Sequence, residues 1–348
     1  MSDARADARI VIFRLGSLGD TVVALPCFHR IAQAFPDAER LVLTNVPVSS
    51  KAAALEVILT PSGLIHGAIA YPVGLRSLAG LWRLRGTLRA TGARTLVYLS
   101  PVRPAAAIRR DRLFFRLCGF RRIIGLPLTE DVRVPRIAVD GTVEPEAERL
   151  ARTLSELGPI DLGDRSGWDL RLTAAERAAG AAAVAGLGEG RRLFAINLGG
   201  KAVEKDWGDA NWRALLAALA PTLGDHALIA VGGAEDAERS AEVLAEWPGP
   251  VRNLCGALTP RGGAAALAHA AFLIGHDSGP LHLAAAMGTP TIGLFGGYNR
   301  PRQWHPYGPG HRPVHVMGGM TGIAVAAVRD AVLAVAADAA AGAGAARA

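Results

Sequence analysis

Cysteines and aromatic residues are few in this chain, and long apolar runs are missing. The three cysteines among 348 residues, Cys27, Cys118 and Cys255, lie far apart and form no CxxC pair. A disulfide framework and a cysteine-based zinc site are thereby excluded, and a reducing cytoplasm is the expected compartment. Half of the chain is hydrophobic, 20% is charged and 5% is aromatic, which excludes disorder as the general state. The N-terminus, MSDARADARIV, has no apolar core ahead of a cleavage site, so no export signal is expected. The apolar stretch from Ile323 is broken by Arg329, Asp330 and Asp338, so a soluble protein without a membrane span is expected.

What is present is a regular alternation of short apolar runs and helical patterns. A length of 348 residues predicts two domains at roughly 150 residues each. The runs Arg9–Phe13, Leu41–Thr44 and Thr95–Leu99 read as buried strands, with helical patterns at about 20–34, 75–90 and 104–118. The same rhythm returns in Leu193–Asn197, Ala227–Val231, Phe272–Gly275 and Thr291–Phe295. The Gly/Asp/Pro-rich segment GPIDLGDRSG, at 158–167, is the candidate linker. This order predicts an α/β protein of two Rossmann-like domains, with parallel sheets facing a central cleft. The expected boundaries are 1–165, 166–320, and a C-terminal helix with a frayed tail over 321–348.

Charge is unevenly placed. Residues 1–160 hold 22 Lys+Arg against 14 Asp+Glu, whereas 161–348 hold 16 against 17. Within 76–136 there are 14 arginines against Asp111, Glu130 and Asp131. A basic half beside a neutral one implies an anionic partner for the first, and exposed arginines such as Arg103, Arg109 and Arg110 are expected to face it. An arginine-heavy genomic composition is the competing explanation.

Three loops carry chemistry. The first, Leu15-Gly16-Ser17-Leu18-Gly19-Asp20, turns from strand to helix where Rossmann domains bind phosphate. Its pattern is not GxGxxG, which speaks against a nicotinamide dehydrogenase. A carboxylate at Asp20 satisfies the helix dipole and repels phosphate, so the loop is expected to present an acid or base. The alternative is that Asp20 only caps the helix. The second loop runs from Asn197-Leu198-Gly199-Gly200-Lys201 to Lys205-Asp206-Trp207, and its spacing is not that of a P-loop. Lys201 is expected on the solvated surface, and Trp207 and Trp212 are expected to pack. The third ends a strand at Gly275 and opens a small-residue helix at Ser278-Gly279, whose free N–H groups form an anion site. Asp277 and His282 lack a third partner at ligand spacing, so no metal is expected. No Asp-x-Asp triplet occurs in the chain, so any diphosphate here is expected to be held by helix N-termini, Lys and Arg rather than by a divalent ion.

Over about residues 9–318 the sequence resembles glycosyltransferase family 9, the bacterial lipopolysaccharide heptosyltransferases. The matching elements are GSLGDTVVALP (16–26), Lys205-Asp206-Trp207, GGAEDAER (232–239), DSGPLHLAAAMGTPTIGLFG (277–296) and PYGPGHR (306–312). The resemblance implies a GT-B fold and metal-independent, inverting transfer of a sugar to a saccharide acceptor such as the lipopolysaccharide inner core. The implied donor is ADP-heptose, a nucleotide-diphosphate sugar acting as co-substrate, with no cofactor. The resemblance also implies roles. Asp20 would be the general base, and Arg14 would lie on the acceptor side with Gly16, Ser17 and Gly19. Lys205 would meet the donor phosphate beside Gly199 and Gly200. Asp236, or its neighbours Glu235 and Glu238, would hold the ribose, and Asp277, Ser278, Gly279 and Pro280 the pyrophosphate. The sequence departs from the family at Gly297-Tyr298-Asn299-Arg300-Pro301, where relatives read Pro-Thr-Asp-Pro. One extra residue precedes Lys205, and the Gly199-Gly200 turn offers no hydroxyl.

The expected partners are therefore an ADP-linked donor and an anionic saccharide or lipid-linked acceptor, with no nucleic acid. The expected location is cytoplasmic, with peripheral contact at the inner membrane. Two alternatives stand beside this expectation: a transferase acting on a non-lipid natural product, and a non-catalytic nucleotide-sugar sensor or partner subunit. Asp20 in an intact loop speaks against the sensor, which has no need of a base.

Overall fold

The apolar run Arg9–Phe13 forms β1, the middle strand of a five-stranded sheet, in a computed structural model that describes residues 7–47, 54–187, 190–200 and 203–345. The other strands are β2 (Glu39–Val46), β3 (Gly67–Pro72), β4 (Thr95–Tyr98) and β5 (Arg122–Ile124), in the order β3-β2-β1-β4-β5. Every pairing is parallel, with Ile12 opposite Val42 on one side and Val97 on the other. Parallel strands are covered by helices on both faces, which explains why β1 and β4 are apolar without alternation. The helices Leu78–Ala90 and Ala105–Leu117 pack Leu84, Leu88, Ile108 and Phe115 onto one face of this sheet, around Phe13 and Tyr98. Strand order reverses between β1 and β4, so the loop at 14–20 leaves the sheet at its switch point, where open α/β sheets bind ligands.

This unit spans Met1–Arg171, and a second spans Leu172–Ala348. The second holds six parallel strands: β6 (Leu193–Asn197), β7 (Ala227–Ala230), β8 (Val251–Asn253), β9 (Leu273–His276), β10 (Thr291–Phe295) and β11 (Val314–His315). Their order is β11-β10-β9-β6-β7-β8, so the reversal falls between β6 and β9. Trp212, Phe194, Phe272 and Trp247 fill its core, with Phe194 stacked on Phe272 at 5.1 Å. Trp207 is buried in the same core. All three cysteines are buried and free, and no described helix is long and apolar enough to cross a membrane.

Several elements differ from expectation. The single helix expected over 20–34 is two, Leu18–Val23 and Leu25–Ala34, broken at Ala24. Pro26 in the first turn of the second helix has no N–H to continue the ladder of the first. β3 (GAIAYP) is too poor in β-branched residues to read as a strand, and a sheet edge tolerates its Gly67 and Pro72. The segment 158–167 packs on the first unit: Trp168 is buried beside it, and Asp169 O bonds His29 Nε2 at 2.8 Å. The last helix runs over Val325–Ala345, and its many alanines favour helix.

Candidate functional site

In the second unit, β6 and β9 are neighbours, and the two loops that leave their carboxyl ends meet side by side. A short 3₁₀ turn, Val203–Lys205, brings the Lys205 Nζ to 2.5 Å from Asp277 Oδ2. The same Oδ2 accepts from Asn299 Nδ2, and His282 Nε2 stands 3.8 Å from Oδ1. The Tyr298 ring lies under the lysine, with Nζ 4.5 Å from its centroid, a cation–π contact on a side chain that is 66% exposed. Burial raises the Asp277 pKa, but His282 and Lys205 outweigh it and hold the carboxyl below its ordinary value. Asp277 is therefore a fixed anion that positions an ammonium.

Immediately after Asp277, Ser278 opens the helix Gly279–Ala286. Its hydroxyl donates to Asn197 Oδ1 at 2.7 Å and does not cap the helix. Pro280 in the first turn has no N–H, so the N-terminal donors of this helix belong to Gly279 and the residues after Pro280. The arrangement is a helix N-terminus without a side-chain cap, beside a lysine held by a carboxylate. It suits a ligand with two or more negative oxygens.

Two further loops brace the site. Asp236 Oδ2 accepts from Gly233 N at 3.0 Å, and its carboxyl fills a socket that glycines leave open. A Cβ on Gly232 would stand 2.7 Å from Asp236 Oδ2, and one on Gly199 would collide with the whole carboxyl group. Glu238, by contrast, is exposed two residues further on. Arg239 grips Asp206 with two parallel bonds of 2.8 Å and also bonds Asp209, clamping the segment that carries Lys205 and Trp207. Burial raises the Asp206 pKa, but Arg239 more than offsets it and leaves the carboxyl depressed. His276, at the end of β9, is fully buried and accepts the Trp207 N–H on Nε2 at 3.1 Å. Burial pushes its pKa down to about 4, against the opposing pull of Asp206. Sequence reading assigned no role to Arg239, His276 or Asn299. Nothing local in the sequence signals the clamp, because Asp206 and Asp209 lie about thirty residues before Arg239. Lys201 lies outside the described residues.

In the first unit, Asp20 reaches back across its turn. Its Oδ2 accepts from Ser17 N at 2.7 Å and Ser17 Oγ at 2.8 Å. Ser17 is the helix N-cap and Asp20 sits three residues in, so Asp20 is the reciprocal acid of a capping box rather than the cap itself. Gly16 has φ of +125°, and a Cβ there would stand 2.6 Å from that of Asp20, so both its backbone and its neighbour require glycine. Gly19 is buried in the same short helix. Arg14 is fully buried, and its guanidinium donates to the Leu99 and Asp20 carbonyls. Burial lowers its pKa against the pull of Asp20 and Glu146. The structure thus places Arg14 beneath the loop, fixing Asp20 from behind. Close by, Arg149 makes a two-pronged ion pair with Glu146 (2.7 and 2.6 Å), both side chains 1% exposed, and donates to Ser100 O at 2.9 Å.

Arg103 differs from expectation. It is 20% exposed, paired with Asp111 at 3.3 Å, and its guanidinium lies 5.8 Å from the Phe13 ring centroid. Packing against the Phe13–Tyr98 core draws it inward, whereas Arg110 remains 72% exposed. Among the described residues no group of three His, Cys, Asp or Glu is placed to hold a metal ion.

Residues 136–318 match the sequence profile of glycosyltransferase family 9 (heptosyltransferase). No curated protein sequence matches the chain. Solved structures share its fold. A family 9 glycosyl transferase from Veillonella parvula DSM 2008 is 20% identical with a TM-score of 0.72, over 96% of this chain and 98% of that one. The ADP-heptose lps heptosyltransferase II of E. coli is 16% identical with a TM-score of 0.65, over 94% and 98%. E. coli heptosyltransferase WaaC, with ADP-2-deoxy-2-fluoro heptose, is 17% identical with a TM-score of 0.62, over 93% and 98%.

Proposed function

The chain belongs to glycosyltransferase family 9, and from that premise we propose that it transfers heptose from ADP-heptose, with inversion and without a metal ion, to an anionic saccharide such as the lipopolysaccharide inner core. The observation that carries the donor side is the Lys205–Asp277 pair beside the uncapped start of the helix Gly279–Ala286. On arrival, a diphosphate would draw Lys205 partly from Asp277 and take the helix N–H groups as donors. The negative charge that develops on the leaving diphosphate would fall on groups already aimed at it, which is where electrostatic catalysis acts most strongly. Asp236, held in its glycine socket, would meet the ribose, with Gly199 and Gly200 giving the donor room. The WaaC structures of similar fold, with ADP and with an ADP-linked heptose analogue, support an adenine nucleotide.

On the acceptor side, Asp20 would take the proton of the attacking hydroxyl as the new glycosidic bond forms and the bond to the diphosphate breaks. Its Oδ2 is spent on Ser17, so the proton would go to Oδ1. Arg14 would serve as a positioning residue for that carboxylate. A panel of ADP-, GDP- and UDP-linked sugars, followed by release of nucleoside diphosphate with a heptose-deficient saccharide acceptor, tests this assignment. Release from ADP-heptose alone, unchanged after exhaustive EDTA treatment, is the expected result. Preference for another nucleotide, or loss of activity restored by Mg²⁺, would overturn the corresponding part.

A further inference from the structure

The strand β11 is only two residues long, and its register sets His315 opposite Phe295 on β10. The His315 imidazole stacks on the Phe295 ring, with centroids 5.7 Å apart. After Pro301 the backbone turns through Arg302, whose φ of +70° is left-handed, and returns His305 to the same ring at 4.5 Å. The two imidazoles meet there: His305 Nε2 is 2.9 Å from His315 Nδ1, and His315 Nε2 is 3.1 Å from Asn299 O. A carbonyl only accepts, so His315 Nε2 carries the hydrogen. Burial holds both rings below the ordinary histidine pKa, His305 at about 4, although Asp277 pulls the other way. Both rings are therefore neutral near pH 7. A neutral His315 has a bare Nδ1, which accepts from His305 Nε2–H. The hydrogen bonds thus run in one direction: His305 to His315, His315 to the Asn299 carbonyl, and the Asn299 amide to Asp277 Oδ2, the oxygen that also holds Lys205. Close packing pins the same loop. A Cβ on Gly297 would collide with the Met317 carbonyl, and one on Gly296 would stand 3.0 Å from Met320 N. This loop also carries Tyr298 to Lys205, and it is the segment at which the sequence departs from its family.

We propose that His315 is a positioning residue of the donor site, holding Asn299 on Asp277 and so setting how firmly Asp277 keeps Lys205 from an arriving diphosphate. The Asn299 amide shares the negative charge on Oδ2. Without it that oxygen belongs to Lys205 alone, and a diphosphate must draw the lysine from a tighter ion pair. His305 completes the arrangement, because its bond to Nδ1 fixes the His315 ring with the other N–H aimed at Asn299. Two stacked rings that only filled space would need no directed series of bonds ending at a charged side chain. The inference rests on the donor-site reading of Lys205 and Asp277 given above.

The test is calorimetric titration of the full chain with ADP. His315→Phe keeps a ring on Phe295 and loses both hydrogen bonds. It is expected to weaken ADP binding by about 2- to 12-fold, the net value of one hydrogen bond. Asn299→Ala is expected to weaken it equally, and the double variant no further, because the two residues act in series. His315→Gln keeps an N–H within reach of the Asn299 carbonyl and recovers most of the affinity. In an Asp277→Asn background no carboxylate holds the lysine, and neither His315→Phe nor Asn299→Ala changes ADP affinity. A role in folding alone predicts instead equal losses in both backgrounds and no rescue by glutamine. Native affinity in Asn299→Ala, additive losses in the double variant, or the same loss without the Asp277 carboxylate would each overturn the proposal. Asn299 is half-buried in a loop, so its variant keeps the test decisive if His315→Phe melts early. Lys205→Ala separates the two readings. If it binds ADP as the native chain does, the donor-site assignment fails and this inference with it. Loss of ADP in Lys205→Ala beside native affinity in His315→Phe overturns this inference alone.

Discussion

The Lys205 ammonium and the Asp277 carboxylate, 2.5 Å apart, come from loops 72 residues distant in sequence. The pair keeps a cation beside a helix start that is itself electropositive. A charge-assisted hydrogen bond to phosphate is worth about 1.5–3 kcal/mol, so Lys205→Ala is expected to weaken ADP binding by about 10- to 150-fold in calorimetric titration. Asp277→Asn removes a negative charge from the same site and is expected to bind ADP at least as tightly as the native chain. If Asp277→Asn instead loses ADP as severely as Lys205→Ala, the carboxylate is a ligand contact and not a positioning group.

Asp20→Asn preserves the size and the acceptor oxygen needed to reach Ser17, but removes the base. Turnover is expected to fall by about 10²–10⁴, with ADP affinity unchanged. Near-native turnover in this variant would leave Asp20 with its capping role only.

Glu146→Ala leaves Arg149 buried without its counter-charge. Breaking a buried pair by removing one partner costs about 3–5 kcal/mol. Urea unfolding of the variant should show a loss of that order in the transition that reports the first unit. A loss below about 1 kcal/mol would mean that Ser100 O and water satisfy the arginine unaided.

His276 sets a pH dependence. Its pKa is lowered from 6.5 to about 4 in the folded chain, so between these values the unfolded chain binds the proton and the native one does not. Stability therefore falls as pH drops from 6.5 towards 4. The urea midpoint of the second unit should decline across that window, and the His276 ring should remain neutral at pH 5 by NMR. A His276 titration centred near 6.5 would contradict the burial argument.

The positions of the reactive loops were legible in the sequence because each follows an apolar run and opens with glycine, serine or aspartate. The strand alternation likewise announced two parallel sheets. What was not legible depends on strand order. Nothing local to Lys205 says that β6 lies beside β9, and so nothing local predicts that Asp277 receives it. Arg14 illustrates the same limit. The resemblance implies an acceptor-side place for Arg14, but nothing local to it shows that the carbonyls of Leu99 and Asp20 converge on its guanidinium inside the fold. Arg239 was hidden because its two partners precede it by about thirty residues, on the far side of β7. The edge strand β3 escaped notice because its pairing with β2, rather than its own composition, makes it a strand.

The glycine socket around Asp236 constrains the order in which this sequence can change over generations. A side chain at Gly199 meets the Asp236 carboxyl, so a substitution at Gly199 either displaces that carboxyl from its socket or needs a background where Asp236 has already become smaller. The reverse order is free of that clash, since shortening Asp236 merely empties the socket. The two positions are thus epistatic with a direction, and a double-mutant cycle on Gly199→Ala and Asp236→Ala should show strong non-additivity. Lineages that abandon the carboxylate can then acquire side chains at Gly199, while lineages that keep it in its socket keep the glycine.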